Sequence, residues 1–296
     1  MLLLTGGTGL MGSAVLRRLL QTGEPVRCLV RDPRGLGSSR VRVQIALGDL
    51  ADPLSFRNAL RGVHTVVHLA GSIRDQPGAS IEELNGIATW RMVQAAEAAG
   101  AERFLFCSVL GASRHHRGRL FRAKALAEQA VTEAALDTTV FAPSIVYAPG
   151  DRWLTLLARL ALLPVMPVSG RGTALFEPIW VQDVADCVMA TIARPAQDGG
   201  EHVRYELAGP EVLSENEIVR LTLEAAGRRR PIVHVPTPLV SRSLRAIEAV
   251  LGPRAPATWD EAELMQIPLL SARGVADAGR LGVSPRAMGD VLAARG

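Results

Sequence analysis

Met1-Leu-Leu-Leu-Thr-Gly-Gly-Thr-Gly-Leu-Met-Gly12 is the stretch that decides the fold. A short apolar run stops at a glycine cluster, and a helical pattern follows at once from Ser13 to Leu20. That order predicts a buried strand, a tight turn and a helix N-terminus. Gly6, Gly9 and Gly12 stand three apart, and Gly7, Gly9 and Gly12 also satisfy G-x-G-x-x-G. Glycines at this spacing permit the turn, the approach of a phosphate and close packing of helix on strand. Backbone N–H groups and the helix dipole then converge where a pyrophosphate would sit. The expectation is a dinucleotide site built on Thr5, Gly6, Gly7, Thr8, Gly9, Leu10, Met11 and Gly12. An ordinary strand-to-helix turn is the plainer alternative.

Working outward, strand-like runs alternate with helical patterns. Val26–Val30, Val41–Ala46, Thr65–Gly71, Arg103–Ser108 and Thr138–Ala142 read as strands, and Ser55–Arg61, Ile81–Ala99 and Phe121–Ala135 as helices. Such alternation predicts an α/β chain with a doubly wound parallel sheet, covered on both faces, whose ligand sits at the carboxyl ends of the strands. After about residue 150 the alternation breaks, with prolines between helical patterns, Pro253 and Pro256 among them. We therefore expect a dinucleotide-binding domain over 1–150 and a smaller C-terminal α/β lobe over 151–296 that packs on it and exchanges segments with it. Ser214 and Glu217 read as a capped helix start. Thr237 to Leu251 reads as an amphipathic helix packed on the core, with a membrane surface or a partner subunit as the alternative.

Composition narrows the class. Of 296 residues, 48% are hydrophobic and 21% charged, the balance of a protein with a large core. Aromatics at 4% and scattered arginines at a net charge of +4 argue against nucleic acid and fit an anionic cofactor. Arg228-Arg229-Arg230 is the single basic cluster, expected as a solvated loop or, more sharply, a site for an anionic partner. Cys28, Cys107 and Cys187 show no metal or disulfide spacing, so no metal is expected and a reducing, cytoplasmic setting is. The chain opens inside its first strand, which leaves no room for a signal peptide in the sequence as given, and no uncharged apolar run reaches membrane-spanning length.

Thr5-Gly-Gly-Thr-Gly-Leu-Met-Gly12 resembles the T-G-x-x-G-x-x-G turn of the short-chain dehydrogenase/reductase superfamily, in its extended and atypical branches. Gly48-Asp49-Leu50, His68-Leu69-Ala70-Gly71, Asn85-Gly-Ile-Ala-Thr89, Pro178-Ile-Trp-Val-Gln-Asp183 and Tyr205-Glu-Leu-Ala-Gly-Pro-Glu211 follow in the family's order. Ser108-Val-Leu-Gly-Ala112, Phe121-Arg-Ala-Lys124 and Ala142-Pro-Ser-Ile-Val-Tyr-Ala-Pro-Gly150 are similar to the atypical group related to the nucleotide-binding accessory subunit of respiratory complex I. The resemblance implies a Rossmann fold that binds NAD(P) through the glycine turn, Asp49, Leu50, Leu69, Ala70, Gly71, Ser108, Lys124, Pro143 and Ile145. It leaves the small-molecule substrate unnamed. It allows subunit pairing through the flanking helices, a larger assembly, or contact with a membrane surface.

The second expected strand ends in Arg31, where an acidic residue would favour NAD and a basic one the 2′-phosphate of NADP. Arg31 therefore favours NADP(H) over NAD(H), although Asp32 next to it would suit a ribose and Arg34 could assist with a phosphate. In hydride-transferring relatives a tyrosine and a lysine stand four residues apart on one helix, and a serine follows the fifth strand. Here Leu120 stands four residues before Lys124, and the serine position falls near Val109, one residue past Ser108. Leucine has no exchangeable proton. Lys124 is then expected to bind ribose only. Ser108, Tyr147, His115 and His116 are the weaker candidates for a replacement acid, while His68 and Asp183 read as structural. Two functions follow: a protein that uses NADP(H) for structure, sensing or assembly, or an NADP-dependent oxidoreductase or epimerase/dehydratase-type enzyme with an unorthodox proton donor.

Overall fold

The computed structural model describes all residues except 77, 196–201, 253, 254, 256, 295 and 296. Pro253 and Pro256 therefore lie outside the described residues. The chain forms strands β1 (Leu2–Thr5), β2 (Val26–Val30), β3 (Gln44–Leu47), β4 (Thr65–His68), β5 (Arg103–Cys107) and β6 (Asp137–Pro143). Helices α1 (Leu10–Thr22), α2 (Pro53–Phe56), α3 (Ala88–Ala98) and α4 (Arg119–Thr132) lie between them. The second half adds β7 (Val146–Tyr147), α5 (Arg152–Leu160), β8 (Met166–Ser169), β9 (Leu175–Phe176), β10 (Ile179–Trp180) and α6 (Val181–Ile192). Then follow β11 (His202–Leu207), β12 (Leu213–Ser214), α7 (Glu215–Ala225), β13 (Ile232–Val235), α8 (Thr237–Leu251), α9 (Trp259–Leu264), α10 (Ala276–Arg280) and α11 (Met288–Ala293).

Seven strands form one parallel sheet in the order β11-β6-β5-β4-β1-β2-β3, the doubly wound arrangement expected from the sequence. Side chains alternate across it. Leu2 and Leu4 join Val67, Leu105 and Phe141 under α1 and α6, whereas Leu3 joins Val66, Phe104 and Phe106 under α3 and α4. Strands buried on both faces read as continuous apolar runs, which is why Leu2-Leu3-Leu4 shows no alternation. Chain order reverses between β1 and β4, and a crevice opens there at the carboxyl edge. Two segments from beyond residue 150 return to this layer: β11 pairs with β6, and α6 lies beside α1, fixed by Arg18 on Asp186 at 2.6 Å. The rest of the second half has its own apolar clusters around Phe176, Ile218 and Met288, and around Met166 and Val219.

Several expected elements shift. The third strand runs over Gln44–Leu47 rather than from Val41, which is 81% exposed. Asp32 caps a 3₁₀ segment over Pro33–Val41 that consumes the start of the expected strand. The second helix begins at Pro53 under the Asp52 cap and tightens to 3₁₀ over Arg57–Leu60. The long third helix carries a π-turn at Glu83–Ile87. Ser214 and Glu217 form the anticipated capping box. Helix α8 forms over the expected span, but it does not pack on the core: none of its described side chains is fully buried. Its apolar residues Leu239, Val240, Leu244, Ile247 and Val250 share one face, and the fold leaves Leu239, Ile247 and Val250 of that face exposed. Among the described residues no helix is long and apolar enough to cross a membrane.

Candidate functional site

The glycine turn owes its shape to two positions. Gly6 has φ +73°, and a Cβ there would lie 2.6 Å from the Ala70 nitrogen. At Gly12 a Cβ would collide with the carbonyl oxygen of Gly6 and stand 2.9 Å from the Gly7 Cα. Helix and strand therefore approach at backbone distance, which only glycine allows. Helix α1 opens on Gly9 with no side-chain cap and no acidic residue in its first turn. Its first N–H groups are left for a ligand, and the positive end of the dipole is not neutralised from within. This cradle fits a diphosphate.

A cavity of about 230 Å³ opens beside the turn at the sheet's switch point. Gly6, Thr8, Gly9, Arg31, Asp49, Leu50, Leu69, Ala70 and Gly71 line it, so nine of the anticipated residues meet in one place. Thr5 and Gly7 lie beneath it, Gly7 against Leu4, Leu36 and Cys28. Leu10 is on the exposed side of α1, and the Met11 sulfur is 3.5 Å from Cys107 Sγ, at the end of β5. Leu29, Val30, Gly48, Ser72, Gln76 and Leu84 also line the cavity and were not anticipated. Gly71-Ser72 leaving β4 was the available signal for Ser72. Gln76 and Leu84 arrive from a loop and a π-turn with no local signature.

Arg31 is exposed at the rim and, among the described residues, forms no ion pair. Asp32 does not share that rim role. It accepts from the Arg34 backbone N–H at 2.9 Å and pairs with the Arg34 guanidinium at 2.8 Å. The carboxylate that would suit a ribose is thereby engaged with its own cap.

Under the turn, Thr5 Oγ1 lies 2.8 Å from His68 Nδ1, and His68 Nε2 lies 3.1 Å from Thr89 Oγ1. Thr89 donates to the Asn85 carbonyl at 2.8 Å. Its oxygen must then accept from His68 Nε2–H, which leaves Nδ1 to accept from Thr5. His68 is fully buried, and burial, helped by Lys124, brings its pKa down to about 3. A neutral imidazole thus ties β1, β4 and α3 together, the structural role expected of it. Asp183 likewise accepts from the Arg286 backbone N–H at 2.9 Å.

The other end of the crevice holds Lys124, buried on α4. Its Nζ donates to the Cys107 carbonyl at 2.7 Å, stands 4.7 Å over the Phe106 ring and reaches the cavity wall at Gly71, 3.3 Å from where a Cβ would be. Burial holds its ammonium below the ordinary lysine value. Ser108 is buried and its Oγ has no partner among the described residues, Pro143 ends β6, and Ile145 packs against the cluster of Leu110, Phe121 and Leu269. None of these three lines the cavity.

Tyr147, anticipated as a replacement acid, does not face the crevice. It is wholly buried among Phe176, Met288 and Leu292, with its hydroxyl unpartnered and its pKa raised by burial and by Asp183, Glu211 and Asp290. The pairing of β7 with β10 turns it into the second lobe. His116 Nδ1 accepts from the Gly118 N–H, and its ring lies tilted against Phe121 with centroids 4.1 Å apart; His115 is exposed on the same loop. Leu120 faces a small separate cavity shared with Ile73, Asp260, Glu263 and Ile267. Next to Ile73 and Asp260, Arg74 pairs with Glu261 and donates to the Ala255 carbonyl. Asp260, missed from sequence, has its pKa pushed up to about 6 by burial.

Comparison with known proteins agrees with this geometry. Residues 6–195 match a family model described as NAD(P)H-binding. The chain is 29% identical over 245 residues to the mitochondrial NADH dehydrogenase [ubiquinone] 1 alpha subcomplex subunit 9 of Arabidopsis thaliana, covering 79% of this chain and 60% of that protein. It is 29% identical to a ceramide reductase of Caulobacter vibrioides over 79% of this chain and 73% of the relative. Its fold superposes on an NADPH-dependent quinone oxidoreductase from Escherichia coli with a TM-score of 0.73 at 16% identity, covering 100% of this chain and 99% of the other. The chain belongs to the NAD(P)H-binding family, as an atypical short-chain dehydrogenase/reductase related to that complex I subunit.

Proposed function

We propose that this protein holds NADP(H), in preference to NAD(H), and uses it for structure, sensing or assembly rather than for tyrosine-assisted hydride transfer. Leu120 carries the reading: it occupies the place four residues before Lys124 where relatives keep the proton-transferring phenol. Tyr147 is turned into the second lobe, and His116 serves its own loop. Lys124 and the unpartnered Ser108 hydroxyl remain to bind the cofactor's far end. Arg31 supports NADP(H), because a guanidinium grips a phosphate with two parallel bonds while Asp32 is occupied by Arg34. We assign the cofactor to the sheet domain, 1–150 completed by α6 and β11, and the remaining second half to a covering lobe. Three free, buried thiols support a cytoplasmic setting.

The test is single-turnover oxidation of bound NADPH against a panel of carbonyl compounds, in the wild type and in Leu120→Tyr. The reading expects tight NADPH binding with no oxidation above background in the wild type. Robust wild-type turnover would refute it. Asp260 favours the second reading, an enzyme with an unorthodox donor: a carboxyl whose pKa burial pushes up to about 6 lies in the cavity that Leu120 faces. Under that reading the wild type turns over and Asp260→Asn does not.

A further inference from the structure

The apolar turn after α5 and the arginine cluster 228–230 are locked together at one corner of the second lobe. Leu162, Leu163, Pro164 and Val165 follow one another in a turn, and all are exposed, Leu162 by 62% and Leu163 by 46%. Beneath them the carbonyl of the buried Ala161 accepts from Arg230 Nε at 3.2 Å and from Arg228 at 3.5 Å. The Met166 N–H donates to the Pro231 carbonyl at 2.9 Å, and β8 and β13 run on in parallel from there. Among the described residues none of Arg228, Arg229 and Arg230 forms an ion pair.

The charge pattern reaches further. Residues 153–176 hold two arginines and 225–247 hold five, and neither stretch contains an acidic residue. Helix α8, which leaves β13 directly, repeats the arrangement. Leu239, Ile247 and Val250 are exposed on its outer side, Arg242 is exposed at the edge of that face, and Arg245 lies over the Trp259 ring of α9 at 4.6 Å. A run of exposed leucines costs solubility in water, and Arg228, Arg229 and Arg230, without an ion pair among the described residues, repel one another. An anionic bilayer relieves both, since phosphates meet the guanidinium groups while the acyl boundary takes the leucines. A polyanion such as nucleic acid would satisfy only the arginines.

We propose that this corner is a docking patch for an anionic lipid surface, with the 162–165 turn inserted among the headgroups and Arg228–Arg230 on the phosphates. The patch is separate from the dinucleotide cavity and does not depend on how the cofactor is used. An arginine at such a surface contributes roughly fivefold to binding, so three together make on the order of 100-fold.

The full-length chain is sedimented with vesicles of phosphatidylcholine alone and with about one-third phosphatidylglycerol, at low salt and at about 0.5 M salt. The wild type is expected to bind the anionic vesicles at least about tenfold better, and to lose that binding in high salt. Leu162→Asp with Leu163→Asp, and separately Arg228→Ser with Arg229→Ser and Arg230→Ser, are each expected to cut anionic binding by about tenfold or more, while NADPH binding stays unchanged as proof of fold. Equal binding to both vesicle types, binding to neither, or patch variants that bind as the wild type overturns the proposal. A patch variant that lowers the sedimenting mass in solution also overturns it, assigning the corner to a second copy of the chain. If a variant does not fold, the lipid and salt dependence of the wild type decides alone.

Discussion

Replacing His68 by Asn gives a sharp test of how the glycine turn is supported. The imidazole is buried and neutral, and its pKa falls from the ordinary 6.5 to about 3 on folding. Between those values the unfolded chain binds the extra proton, so this residue makes the native state less stable as pH falls from 6.5 towards 3. Above pH 6.5 it contributes no pH dependence. Integrating over the window, His68 removes about 2 kcal/mol between pH 7.5 and pH 5. Glu215 and Asp260 act with the opposite sign, because burial raises their pKa values to about 7 and about 6 and the folded state keeps their protons as pH falls. Those contributions cancel when wild type and variant are compared at each pH. At pH 7.5 His68→Asn is expected to cost about 1–3 kcal/mol, through the bonds to Thr5 and Thr89. At pH 5 that deficit is expected to shrink by about 2 kcal/mol, since the wild type has lost what the variant never had. Urea denaturation at both pH values measures it. A deficit that stays constant, or grows, refutes a buried neutral imidazole.

Other expectations follow from single positions. Gly12→Ala puts a Cβ against the Gly6 carbonyl, so the turn must open: about 1–3 kcal/mol of stability and at least about tenfold in NADPH affinity are expected to go, read by thermal melts with and without cofactor. Arg31→Glu removes the guanidinium at the rim and sets a carboxylate against the 2′-phosphate. NADPH affinity is expected to fall by roughly 10–100-fold, with NADH changed little, by fluorescence titration.

Much of the architecture is local and therefore legible. Strand, glycine turn and helix adjoin in Met1–Leu20, and close backbone contact at Gly6 and Gly12 follows from their residue type. Nine of the anticipated residues meet at the cavity because strand ends in a parallel sheet share one edge. What escaped depends on contacts distant in sequence. Whether Tyr147 faces a cofactor or a core is decided by β7 pairing with β10, about thirty residues on. Gln76 reaches its cavity from a loop and Asp260 from the short helix α9, far on in the chain, and Arg74 finds Glu261 across 187 positions. Helix α8 showed its one-sided amphipathic pattern in the sequence, but periodicity does not say whether the fold covers the apolar face, and Leu239, Ile247 and Val250 of that face stay exposed.

Calorimetric titration of the purified full chain with NADPH and then with NADH tests the central claim most directly. The account predicts saturable binding of one NADPH per chain, at least about tenfold tighter than NADH, from the charge-assisted bonds that Arg31 can make to the 2′-phosphate. Binding of neither dinucleotide would contradict the reading of the glycine turn as a cofactor cradle, and tighter binding of NADH would contradict the role given to Arg31.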